Sequence, residues 1–154
     1  MITIRPGFAP EEVPRLYELE CLCFEPPIRW EEKDFLPGIT KMDVWVAEKT
    51  DCDCGFCNPI KEIIGFLAGE VRRNQGYIGT INVDPKHRRR GIAAKLLTAA
   101  EDFYRKGGFT EVRLEVEQNN PAQTLYFKMG YRVHAVRKGW YEDGSTALYM
   151  IKIL

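Results

Sequence analysis

Between Tyr77 and Glu117 the chain changes its apolar period twice. Tyr77 to Val83 reads as a strand closed by Asp84-Pro85. From Ile92, apolar residues recur at helical spacing as Ile92, Leu96, Leu97, Ala100, Phe103 and Tyr104, and Gly107-Gly108 supplies the stop. Glu111 to Glu117 then alternates, with Val112, Leu114 and Val116 on one side and Arg113, Glu115 and Glu117 on the other. Strand, helix and strand in close succession bury their apolar faces by laying the helix on a sheet.

The rest of the chain extends that plan. Ile2 to Arg5 is a short strand stopped by Pro6-Gly7. A helix entered through Pro10-Glu11-Glu12 carries Val13, Leu16, Tyr17, Leu19, Leu22 and Phe24 on one face and ends at Pro26-Pro27. A second short helix is expected from Trp30 to Leu36, before Pro37-Gly38. Asp43 to Ala47 and Glu62 to Val71 read as strands, Pro121 to Lys128 as a short helix stopped by Gly130, and Tyr131 to Val136 with Ala147 to Ile153 as a final strand pair. The order is β-α-α-β-β-β-α-β-α-β-β, an α/β arrangement with a mixed sheet and helices on its faces. A length of 154 residues fits one domain over 1–154.

Lys plus Arg and Asp plus Glu number 22 each, which argues against nucleic acid as the main partner. No apolar run approaches the roughly 20 residues of a membrane span, and the first residues lack a secretory signal. The expectation is a cytoplasmic protein without membrane or nucleic-acid partners, monomeric or homodimeric. Five cysteines, an odd number, fit poorly with a fully paired disulfide framework. Three of them, Cys52, Cys54 and Cys57, lie in a turn-rich insertion at about 50–60. A structural zinc needs four ligands and no fourth is close in sequence, so incidental surface thiols are the leading reading and no metal is expected.

The segment Val83-Asp-Pro-Lys-His-Arg-Arg-Arg-Gly-Ile-Ala-Ala-Lys-Leu-Leu97 carries the chemistry. It is strand, turn, basic loop and helix start. The first helical N–H groups lack intrahelical partners and, with the helix dipole, form an anion site. Gly91 and Ala93 are small enough for a diphosphate to approach the backbone, and Arg88, Arg89 and Arg90 add positive charge. No Gly-Lys-Ser/Thr or Gly-x-Gly-x-x-Gly is present. Taken alone, the loop also fits an exposed basic turn or a nucleic-acid patch at Lys86 to Arg90.

Arg88-Arg89-Arg90-Gly91-Ile92-Ala93 resembles the pyrophosphate-binding motif of the GNAT superfamily of N-acetyltransferases, Gln/Arg-x-x-Gly-x-Gly/Ala. Asn119-Asn-Pro-Ala122-Gln-Thr-Leu125-Tyr126-Phe-Lys-Met-Gly130-Tyr131 resembles the family's Asn-x-x-Ala-x-x-Leu-Tyr-x-x-x-Gly-Phe/Tyr signature, one strand later. The resemblance implies the GNAT fold, a mixed and mostly antiparallel sheet flanked by helices, with acetyl-CoA as cosubstrate and an amine as acceptor. It implies that Arg88 to Ala93 hold the diphosphate, and that the strand end Ile81, Asn82 and Val83, splayed from its neighbour, holds the acetyl and pantetheine portions. The Val83 N–H would face the thioester carbonyl. Tyr126 matches the general acid, and a phenol with an ordinary pKa of about 10 is protonated at neutral pH.

Arg113-Leu-Glu115-Val116 resembles the Leu-Glu-Val strand of the RimI-like branch, the ribosomal-protein-alanine N-acetyltransferases, which implies Glu115 as base through water. The interval from Glu115 to Tyr126 is one residue shorter than in that branch, so Asn119 or Asn120 can be the CoA-contacting asparagine, and the Asn-x-x-Ala spacing favours Asn119. Phe24 and Trp30 lie in a segment that resembles the branch's acceptor loop, and Tyr141 in one that resembles its C-terminal loop. These three are the implied acceptor contacts. The doubled proline and the added Ile-Arg depart from the branch, which weakens transfer of its peptide specificity. A small-molecule amine acetyltransferase and a non-catalytic acyl-CoA sensor are the alternatives.

Overall fold

The computed structural model describes residues 1–51 and 55–154. Seven strands form one sheet: β1 (Ile2–Pro6), β2 (Asp43–Thr50), β3 (Lys61–Arg72), β4 (Gln75–Val83), β5 (Glu111–Glu117), β6 (Arg132–Arg137) and β7 (Ala147–Ile153). Four helices accompany it: α1 (Val13–Cys23), α2 (Glu32–Thr40), α3 (Ile92–Lys106) and α4 (Gln123–Lys128). The strand order is β1-β2-β3-β4-β5-β7-β6, and every pairing is antiparallel except β4 with β5. The element order and the mixed sheet agree with the sequence periodicities, and the mostly antiparallel pairing agrees with what the resemblance implies.

Two cores lie against the sheet. One joins Ile92, Leu96, Leu97, Ala100 and Tyr104 of α3 to Val112, Leu114, Val116, Tyr126, Tyr131 and Met150. The other joins Leu16 and Leu19 of α1 to Phe35, Ile39, Val44, Val46 and Phe66. A bulge in the β3–β4 ladder leaves Gly79 without a register partner. Ile78 before the bulge and Ile81 and Val83 after it reach the α3 core. Thr80 is turned toward α1, where its hydroxyl donates to Glu20.

Three expectations need correction. The second helix runs through Pro37 to Thr40. Proline removes one N–H, but Phe35 and Ile39 on either side of it are fully buried, and their packing outweighs the lost bond. Gly38 lets the Trp30 ring lie directly on this helix, since a Cβ there would come 2.2 Å from Cζ3. Leu22 and Phe103, placed on apolar faces by spacing, are each 48% exposed, whereas Glu20 and Glu101 are buried. Cys57 is disulfide-bonded and so not a free surface thiol. Cys52 and Cys54 lie outside the described residues. Among the described residues no cluster of potential metal ligands occurs, and no helix is long and apolar enough to cross a membrane.

Candidate functional site

The parallel β4–β5 ladder covers only Gly76, Tyr77 and Ile78 against Val112, Arg113 and Leu114. Beyond Ile78 the strands part. The Asp84 N–H donates to the Ile64 carbonyl at 2.8 Å, and antiparallel pairs alternate between bonded and non-bonded. The register Gly65↔Val83 and Leu67↔Ile81 therefore turns the N–H and C=O of Val83 and Ile81 away from β3 and into the splay. Val83 O accepts from Cys23 Sγ at 3.3 Å and from Arg88 Nε at 3.2 Å. No strand takes the remaining groups.

The basic loop closes one end of the splay. Asp84 caps a 3-10 turn, Pro85–His87, by accepting from the Lys86 N–H at 2.9 Å. Burial alone would raise the Asp84 pKa, but the Arg15 guanidinium at 2.7 Å and that N–H hold it below the ordinary value. Arg89 (φ 66) and Gly91 (φ 73) both adopt left-handed backbone, the kind of turn that points successive N–H groups into one concavity. The first bond of α3 runs from Lys95 N–H to Gly91 O at 3.1 Å, which leaves the N–H groups of Ile92, Ala93 and Ala94 unused among the described residues. A Cβ on Gly91 would meet nothing within 4 Å, so the loop faces open space. Arg88, Arg89 and Arg90 are exposed. These N–H groups and guanidiniums suit a diphosphate.

The other wall comes from β5, α4 and the β6–β7 connection. Tyr126 is 5% exposed, packs edge-on against Tyr131 at 5.9 Å, and its hydroxyl donates to no described residue. Burial, then Tyr141, pushes its pKa up, so the phenol keeps its proton. Glu115 accepts a short hydrogen bond from the Tyr77 hydroxyl, and Arg137 lies 3.8 Å from its other oxygen. Burial, then Glu115, raises the Tyr77 pKa. The Tyr141 phenol is pushed up to about 12 by burial and by Glu115, Glu117 and Asp143. Tyr77, Glu115, Arg137 and Tyr141 thus share the β4–β5 splay.

A family model described as acetyltransferase (GNAT) family matches residues 13–131. The chain belongs to the GNAT family. It is 35% identical over 95 residues to a [ribosomal protein bS18]-alanine N-acetyltransferase of Haemophilus ducreyi, covering 60% of this chain and 66% of that protein. It is 37% identical over 102 residues to an N-alpha-acetyltransferase of Saccharolobus solfataricus, covering 65% and 57%. The chain thus spans about three fifths of the length of these curated relatives. The crystal structure of the ribosomal-protein-S18-alanine N-acetyltransferase from Escherichia coli shares the fold, with a TM-score of 0.78 at 24% identity over 99% of this chain and 94% of that one.

Set in the GNAT fold, the remaining expected residues differ in surroundings. Trp30 belongs to the α1–α2 core, stacking edge-on against Phe35 at 6.0 Å, while Phe24 is half-buried and belongs to neither core. Asn119 donates its N–H and side-chain amide to Glu117 at 2.8 and 3.3 Å. Asn120 accepts from the Ala122 N–H at 2.9 Å and so shapes the entry to α4. Asn82 is 1% exposed and donates to the Thr80 hydroxyl at 3.0 Å. Three residues at the site were not legible as such. Tyr77 could have been found from strand alternation, since its register partner is Arg113 and that face carries Glu115. Arg137, held between the rings of Trp140 and Tyr149 at 4.6 and 4.3 Å, opens the segment that resembles the C-terminal loop but carried no assigned role, and Glu20 gave no local signal.

Proposed function

We propose that this GNAT protein transfers an acetyl group from acetyl-CoA to the α-amine of a peptide or protein N-terminus. One observation carries the proposal: backbone N–H and C=O groups of Ile81 and Val83, unpaired by any strand, run from an anion-binding helix start to a buried, protonated tyrosine. The thioester supplies the acetyl group. Arg88 to Ala93 hold the diphosphate, and Ile81, Asn82 and Val83 hold the pantetheine and acetyl end. The Val83 N–H donates to the acetyl carbonyl oxygen, where negative charge grows during attack. Tyr126 donates its proton to the departing sulfur.

Tyr77 donates to Glu115, so its oxygen is free to accept from the incoming amine. Glu115 thus takes up the proton through the Tyr77 hydroxyl, in place of the water expected from sequence. An α-amine, with an ordinary pKa of about 8 against about 10.4 for lysine, suits so indirect a base. Tyr141 and Phe24 flank the peptide, and Trp30 supports that wall from the core behind it. Dependence on acetyl-CoA supports a cytoplasmic location, and one sheet with its two cores supports a single GNAT domain over 1–154.

The test is release of free CoA thiol across peptides with free N-termini, the same peptides blocked at the N-terminus but carrying lysine, and small amines. Free N-termini should react fastest, and Tyr141→Ala should raise the peptide KM while leaving CoA affinity alone. Polyamines or aminoglycosides turning over far faster than any peptide would sink the acceptor assignment.

A further inference from the structure

Glu20 is 1% exposed and forms no ion pair among the described residues. A carboxyl so buried is costly without a cation and is retained only where it is well hydrogen-bonded. Its contacts come from three segments. The Thr80 hydroxyl of β4 donates to one oxygen at 3.2 Å, and the Trp30 N–H of the α1–α2 connection donates to the other at 3.3 Å. The Asn82 side chain reaches it as well. Asn82 Oδ1 is buried without a partner among the described residues. Burial pushes the Glu20 pKa up against the hydrogen bonds from Trp30, Asn82 and Thr80, which pull it down. Cys23, one turn further along α1, bonds the Val83 carbonyl at 3.3 Å and so ties the same helix to the same strand end.

We propose that Glu20 is a positioning residue that couples the acceptor loop, residues 24–31, to the acetyl-holding half of β4. The assignment rests on the function proposed above. Filling the splay beside Ile81 and Val83 fixes Thr80 and Asn82, Glu20 passes that order to Trp30, and the loop takes up its peptide-binding form. Arg88 of the diphosphate loop bonds Val83 O and Cys23 Sγ, but among the described residues it makes no hydrogen bond to Glu20, Thr80 or Asn82.

Glu20→Leu removes the two carboxyl oxygens that take the Thr80 and Trp30 donors. Thr80→Val is nearly isosteric and cuts the path one step earlier. Glu20→Gln keeps an oxygen acceptor for the Trp30 N–H and turns an N–H toward the Thr80 oxygen, so both links survive. The experiment measures acetyl-CoA affinity by calorimetry, KM and kcat with a reactive peptide, and amide exchange over residues 24–31 with and without acetyl-CoA. In the parent, acetyl-CoA should slow exchange at Trp30. Glu20→Leu and Thr80→Val should lose that slowing and raise peptide KM by about tenfold, with acetyl-CoA affinity within about twofold; Glu20→Gln should restore KM to within about threefold. Parental KM and exchange in both Glu20→Leu and Thr80→Val, or Glu20→Gln as impaired as Glu20→Leu, overturns the coupling alone. A parent that binds no acetyl-CoA overturns the function and the coupling together.

Discussion

Replacing Tyr126 by phenylalanine should cut turnover and leave stability nearly unchanged. The ring is 5% exposed and its edge-on contact with Tyr131 at 5.9 Å survives the change. The hydroxyl makes no bond to a described residue, so its deletion strands no partner. It is also not among the buried unpartnered polar atoms, so it opens on the slot and no desolvation penalty is relieved by removing it. Tyr126→Phe should therefore keep the parental stability to within about 0.5 kcal/mol, a Tm change of at most about 2 °C in a chain of this length. Loss of a general acid slows turnover by about 10²- to 10⁴-fold, a barrier increase of about 2.7–5.4 kcal/mol. Scanning calorimetry and saturation kinetics on one preparation read both quantities. A kcat within about threefold of the parent would remove Tyr126 as proton donor. A Tm lowered by several degrees would show that the hydroxyl holds the fold, and the expected separation of stability from chemistry would be wrong.

Three further outcomes follow from the geometry. Gly91→Glu places a Cβ at φ 73 and a carboxylate beside the unused N–H groups of Ile92 to Ala94, so acetyl-CoA affinity by calorimetry should fall by more than about tenfold, or about 1.4 kcal/mol. Gly38→Ala drives a Cβ to 2.2 Å from Trp30, so thermal melting should show a loss of about 1–3 kcal/mol together with displaced Trp30 fluorescence. Glu20 binds its proton more tightly folded than unfolded, so its contribution is full below the unfolded pKa and is lost as pH rises through the folded one; urea titrations should show parental stability falling relative to Glu20→Gln over that interval, by at most about 1.4 kcal/mol per pH unit.

The element order was readable because α3 and β5 each keep one period from end to end. The β5 and β7 boundaries coincide with the alternation itself, and α3 begins directly after Gly91. The anion site was equally plain, since basic loop, glycine and helix start are contiguous. What could not be read depends on partners far along the chain. Glu20 is buried because Thr80, 60 positions away, meets it; Glu101 is buried because Tyr131 and Lys152 do. Period alone marks such residues as polar and outward. Pro37 in α2 is the converse case: its local penalty was visible, but the packing of Phe35 and Ile39 that outweighs it was not. The splay was foreseen from the resemblance to the GNAT family; no local signal in Gly76 to Val83 announces where pairing stops.

The gap between β4 and β5 breaks the hydrogen-bond ladder but not the apolar layer beneath it. Ile78, Val112, Leu114, Val116 and α3 form one uninterrupted core under both half-sheets. The gap is therefore a preformed slot, and a ligand entering it need not first pull apart any buried apolar surface. Local opening measured by amide exchange should reflect this. Ile81 and Val83 N–H groups should exchange quickly in the free protein while the Asp84 N–H, bonded to Ile64 across β3, exchanges slowly. Two of the fastest amides in the sheet would then lie directly over one of its most protected cores, and a bound ligand would silence them without any change in the core below.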